Sequence, residues 1–177
     1  MVWTLDTTHS EVTFSIRHMM FSKVSGSFNV FKATLEIDEE HPENSWVQAE
    51  AEVASINTRE EKRDAHLRSA DFFDADKYPL LTFKSKQVLP KGGRHYDVVG
   101  DLTLHGVTRE VTFDVEYGGQ IPKASNPFGD QRAGLTATTT INRKDFGLTW
   151  NFALETGGIM VGEEVKIEIN LEAVADS

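Results

Sequence analysis

The sequence predicts an all-β fold, a closed antiparallel barrel of about eight strands with one short α-helix near its mouth. Three observations carry this. Apolar and polar residues alternate along most of the chain: Val12, Phe14, Ile16 and His18 against Glu11, Thr13, Ser15 and Arg17, then Val165, Ile167, Ile169 and Leu171 against Glu164, Lys166, Glu168 and Asn170. Period two with one polar face marks an antiparallel sheet that is wet on one side only. The alternation gives way to a convincing helical pattern in one place. The strand count is that at which a barrel is just wide enough for one small ligand.

Taken in order, strand one spans about residues 11–17 and leads into Met19-Met20-Phe21, an apolar connection that either plugs the barrel end or forms a lip over a ligand. Strand two covers about 26–37. Strand three, about 46–56, turns Val47, Ala49, Ala51 and Val53 to the face opposite Gln48, Glu50 and Glu52. Small inward residues leave room in a ligand barrel and are matched by large ones in a filled barrel. Thr58-Arg59-Glu60-Glu61 has the spacing of a capping box and opens a helix over about 59–67, with Asp64 and Arg68 a supporting pair four residues apart. Leaving the helix, Ser69 to Asp74 holds the pair Phe72-Phe73, and Tyr78-Pro79 forces an extended entry into strand four, about 81–89. Lys91-Gly92-Gly93-Arg94 is a hairpin signal, since paired glycines accept positive φ. Strand five, about 96–105, turns at Gly106-Val107 into strand six, about 108–117. The longest loop is 118–130, with Pro122 and Pro127. Strands seven and eight cover about 132–142 and 163–173.

The 177 residues suit a single domain, 1–177, able to bury its core without staples. Cysteine is absent, so neither disulfides nor thiolate metal sites contribute. The start, Met1 to Asp6, lacks a basic segment followed by an apolar one, and no stretch is long enough to span a bilayer as a helix; the expected location is the cytoplasm. A formal charge of −10 disfavours nucleic acid and anionic membrane surfaces as partners.

Three blocks go beyond pattern: Asp6-Thr7-Thr8-His9-Ser10; Arg63-Asp64-Ala65-His66-Leu67-Arg68-Ser69-Ala70-Asp71-Phe72-Phe73-Asp74 with Tyr78-Pro79; and Gly100 to Arg109 around Leu104-His105-Gly106-Val107. Asn142-Arg143-Lys144-Asp145-Phe146-Gly147 with Thr149-Trp150 adds a fourth. In this order, across nearly the whole chain, they resemble the signature blocks of the YceI-like family. That resemblance implies a lipocalin-like antiparallel barrel holding an amphiphile with a long isoprenoid tail. Many members begin with a secretory signal, which this sequence does not show. A homodimer is implied by the resemblance alone.

An apolar lining is available from Val12, Phe14, Ile16, Phe28, Val30, Phe83, Leu102, Leu104, Leu135, Ile141, Phe146, Trp150 and Phe152, with Met20 at the lip and His18 at the mouth to bond a head group. Burying a methylene is worth about 0.8 kcal/mol, so ten chain carbons offer roughly 8 kcal/mol before ordering costs, enough for micromolar binding. The expected function is binding of a long-chain isoprenoid lipid or isoprenoid quinone for storage, sequestration or transport. The alternatives are an enzyme acting on a hydrophobic isoprenoid substrate and an interaction module with a filled barrel. Histidines lack metal-ligand spacing, no nucleophile elbow is present, and no catalytic cofactor or metal is implied. Asp64 and Ser69 are expected to cap backbone groups while Leu67, Phe72 and Phe73 anchor the helix, the alternative being that this segment gates the mouth. Arg143 with Asp145 reads as an ion pair at a barrel corner, and Gly147 as a tight bend.

Overall fold

The computed structural model describes residues 1–151 and 160–176. Eleven paired segments form eight strands, because three strands are each made of two segments separated by a short break. These are β1 (Val2–Leu5 and Glu11–His18), β2 (Ser22–Phe28 and Phe31–Glu36) and β3 (Trp46–Glu52 and Ile56–Asn57). The other five are β4 (Leu80–Gly92), β5 (His95–Leu104), β6 (Val107–Ile121), β7 (Arg132–Asn142) and β8 (Val161–Ala175). The helix α1, Glu61–Arg68, joins β3 to β4. Each strand pairs antiparallel with the next, and β8 returns to β1 with Ala175 opposite Trp3 and Ile167 opposite Phe14. The result is an up-and-down closed barrel without a free sheet edge along β8.

The breaks explain how the barrel turns its corners. The chain leaves β1 at residues 6–10, β2 at 29–30 and β3 at Val53–Ser55. The last two are laced together, Asn29 N donating to Ser55 O at 3.2 Å and Glu52 N to Val30 O at 2.9 Å. Each resets the alternation: Phe28 and Phe31, three apart, both line the interior, and Ala51, Val53 and Ile56 are all buried.

Several boundaries differ from expectation. Val2–Leu5 belongs to the barrel and places Trp3, 1% exposed, between Leu35, Ala133 and Ala173. β2 begins at Ser22, and β6 runs on to Ile121, which shortens the long loop. The capping box is not formed. Arg59 adopts a left-handed φ of 65° between Thr58 and the helix, so Glu60 is the N-cap and its carboxylate accepts from Arg63 N. Thr58 is buried instead, its N–H and hydroxyl donating to Asp64 Oδ1. Arg68 lies 3.6 Å from Glu61 rather than pairing with Asp64.

Candidate ligand site: a tunnel through the barrel

The inward faces of the strands do not meet. Two cavities of about 410 Å³ and about 230 Å³ occupy the barrel interior, and Phe14, Phe28, Leu81, Leu102 and Ile167 border both, so they abut end to end. Their walls are overwhelmingly apolar. The wider cavity lies under α1, which contributes Lys62, Arg63, His66 and Leu67 to its wall. The narrower runs to the opposite end, where Ile37, Pro42 and Trp46 border it. Small side chains make the space: Ala33, Ala49, Ala51 and Ala137 all face the narrow cavity.

Most of the residues expected in the lining border one cavity or the other. Val12, Phe14, Phe28, Phe83, Leu102 and Leu135 border the narrow cavity, and Phe14, Ile16, His18, Phe28, Leu102, Leu104, Ile141 and Trp150 the wide one. Three residues stand elsewhere. Val30 is 49% exposed, because the break at 29–30 turns it outward where unbroken alternation from Phe28 would have placed it inside. Met20 is exposed at the tip of the β1–β2 turn, with a left-handed φ of 67°, and Met160 borders the cavity instead. Phe146 is fully buried in the core beside Leu148, behind the tunnel wall. Phe152 lies outside the described residues. Val88, Val98, Phe113 and Val115 also face the narrow cavity; the alternation of strands five and six carries the signal for the last three, whereas the register shift between Ser85 and Gln87 hides Val88.

The two ends of the tunnel differ in charge. Arg17, His18, Lys62, Arg63, His66 and Arg143 border the wide cavity, whereas Glu36, Asp38 and Glu39 border the far end of the narrow one. Some of the cations are engaged by the fold itself. Arg63 donates to Thr58 Oγ1 at 2.8 Å and Thr58 O at 2.7 Å. His66 Nε2 lies 2.9 Å from Asp71, its ring edge-on to Phe72 and Trp150. Arg143 corrects the expected ion pair with Asp145: it is buried and donates to the carbonyls of Leu148, Trp150, Val161 and Gly162. Burial holds its pKa below the usual guanidinium value. At the acidic end Trp46 Nε1 donates to Glu36 at 2.9 Å and Tyr117 to Glu39 at 2.7 Å. The indole bond, aided by the N-terminal ammonium, lowers the Glu36 pKa; burial, with the Glu39 bond, raises that of Tyr117.

The remaining motif residues support backbone. Asp64 and Ser69 cap as expected, Ser69 Oγ donating to His66 O, and Phe72 is buried while Phe73 packs on the core. His105 Nδ1 sits 3.1 Å from Phe146 O with its ring against Tyr78. Gly147 bends with a φ of 76°, and a Cβ there would lie 3.2 Å from the same imidazole. Asp6, His9 and Glu172 bring potential ligand atoms within 4.8 Å of one another. A cation already bridges two of them: Arg132 Nη1 lies 2.7 Å from Asp6 and 2.6 Å from Glu172.

These features coincide with a known family. Residues 3–173 match the model of the YceI-like domain. The chain belongs to the YceI-like family. It is 44% identical over 173 residues to the UPF0312 protein SA2479 of Staphylococcus aureus, covering 96% of this chain and 95% of that one. Among solved structures it is similar to BcnA of Burkholderia cenocepacia, with a TM-score of 0.82 and 26% identity over 95% of this chain and 98% of that chain. A polyisoprenoid binding domain from Saccharophagus degradans shares the fold, with a TM-score of 0.70 and 18% identity over 98% of each chain. The family expected from the signature blocks and the closed barrel expected from the strand pattern both hold.

Proposed function

We propose that this YceI-like chain binds a long-chain isoprenoid lipid, the tail enclosed in the barrel, and stores, sequesters or transfers it. The observation that carries the reading is the pair of abutting apolar cavities, which a filled-barrel interaction module would not possess. The wider alone falls within the roughly 300–1,000 Å³ typical of ligand pockets. Unfilled, such space forfeits dispersion contacts on every wall, which an aliphatic chain restores. The polyisoprenoid binding named for the Saccharophagus degradans domain accords with a ligand of this class. An isoprenoid quinone fits the same description, its ring at the wide end beside His18. The carrier reading is preferred to an enzyme because Arg63, His66 and Arg143 are engaged with backbone or with Asp71 rather than poised on the cavity.

Ile16→Trp tests the proposal, since Ile16 borders the wide cavity and an indole there obstructs it. An isoprenoid alcohol or quinone at about 100 times its Kd stabilises by about 2.7 kcal/mol, which raises the Tm of a chain this size by about 5–10 °C. The wild type should show that rise and the variant should not. Equal shifts in both, or none in either with prenyl lipids of several lengths, would contradict the proposal.

A further inference from the structure

We infer that the mouth under α1 docks on an anionic lipid surface through the turn Met19-Met20-Phe21. This turn joins the two halves of the first hairpin, between the paired residues His18 and Ser22. Its side chains are held in solvent: Phe21 is 86% exposed, Met20 59% and Met19 37%. Adjacent methionines adopt left-handed φ values of 50° and 67°, a conformation that L residues other than glycine rarely enter. Three large apolar side chains on one strained, protruding turn are not an incidental scatter of surface carbon. The turn also adjoins the tunnel, since Met19 N donates to Met160 O at 2.7 Å, and Met160 borders the wide cavity beside Arg17 and His18.

The formal charge of −10 disfavours an anionic surface for the molecule as a whole, but the charge around this turn is locally basic and selects the partner here. No acidic residue occurs between Glu11 and Glu36, in a chain that holds 28 of them. Arg17 and Lys23 face each other across the hairpin, directly below the turn, and among the described residues neither meets a carboxylate. Like charges opposed in a ladder repel, so an anionic surface relieves what the fold leaves unpaired. Lys62 adds an exposed cation on the rim, while the nearby acids Glu61 and Asp71 are matched by Arg68 and His66. Lipid, rather than protein, suits the size of the contact. An aromatic side chain buries roughly 150–250 Å², so one Phe and two partly exposed Met fall short of the roughly 800 Å² per partner of a stable protein interface. Shallow burial by about 5–10 Å at the headgroup boundary, assisted by basic neighbours, needs no more than such a tip. Phe128, also exposed, is a contrasting case: the Arg132 guanidinium covers its ring at 4.8 Å and is itself neutralised by Asp6, Asp130 and Glu172.

The inference goes beyond the carrier reading and does not depend on what the tunnel holds. Co-sedimentation with vesicles of phosphatidylcholine alone and of phosphatidylcholine mixed with phosphatidylglycerol tests it. The wild type should bind the anionic vesicles and release them as salt rises. Phe21→Ser should bind at least about tenfold more weakly, as expected for one apolar side chain no longer buried. Lys23→Glu should also weaken binding, while Phe128→Ser and the tunnel-blocking Ile16→Trp bind as the wild type. The inference is overturned if the wild type ignores both vesicles, if Phe128→Ser loses as much as Phe21→Ser, or if the wild type is a dimer that Phe21→Ser makes monomeric.

Discussion

At the scale of single residues, Arg143 and Asp6 show how the signature blocks act on the backbone. Replacing Arg143 by Met removes the donor from four carbonyls that flank residues 152–159 in sequence. Only the bond to Leu148 O is fully buried, the other three being part-buried and open to water. A buried unsatisfied group costs about 1–3 kcal/mol, so a loss near 3 kcal/mol and a Tm lowered by roughly 6–12 °C are expected in a melt. Arg143→Lys should rescue little, because an ammonium has only three donors and no planar fork. Asp6 accepts from Thr8 and His9 and then from Arg132, which together hold its carboxyl well below the usual range. Its folded pKa is thus depressed relative to the unfolded chain. Its contribution is fully present above about pH 4 and fades as pH falls through the lower folded value. Asp6→Asn should melt lower than the wild type at neutral pH, and the two should converge on acidification. A constant gap from pH 7 downward would contradict this.

Elements carry the lesson about what the sequence reveals. Alternation gives the inward faces of β1, β5 and β7 closely enough that Phe14, Ile16, Leu102, Leu104, Leu135 and Ile141 all border the tunnel. Local periodicity has no view of a reset, however, and the breaks in β1, β2 and β3 are resets. Unbroken alternation therefore expects Val30 inside, and the bend at 6–10 separates Val2–Leu5 from the pattern of strand one. Phe146 illustrates a second gap: sequence separates apolar from polar but not a tunnel wall from the core behind it. The capping box failed for a third reason, since the left-handed Arg59 is decided by the burial of Thr58 against Asp64 and not by propensity. Close approach of strands yields a further prediction. A Cβ on Gly100 would meet Lys84 O at 2.5 Å and Ser85 Cα at 2.8 Å, both backbone, whereas one on Gly26 would meet the Phe14 ring at 2.5 Å. The ring has the tunnel to turn into and the backbone has nowhere to go. In urea titration Gly100→Ala should lose roughly 1–3 kcal/mol and Gly26→Ala less.

For the whole molecule, closure and polarity are the two facts that matter. Closure hides every strand's inner face around a space that the side chains do not fill, and so creates an apolar interior in a chain of formal charge −10. Polarity gives that interior a cationic end under α1 and an acidic end near Glu36 and Glu39, a difference invisible in composition because it depends on which loops the barrel gathers. An amphiphile bound as proposed would therefore meet two unlike ends, and the proposed docking turn stands at the cationic one. The most direct test of the proposed lipid enclosure is mass spectrometry of an organic extract from the purified, undenatured protein, run beside Ile16→Trp. A prenyl lipid or prenyl quinone present in near-stoichiometric amount and lost from the variant is the result expected. An empty extract from the wild type, or the same lipid recovered equally from both, would contradict enclosure in the tunnel.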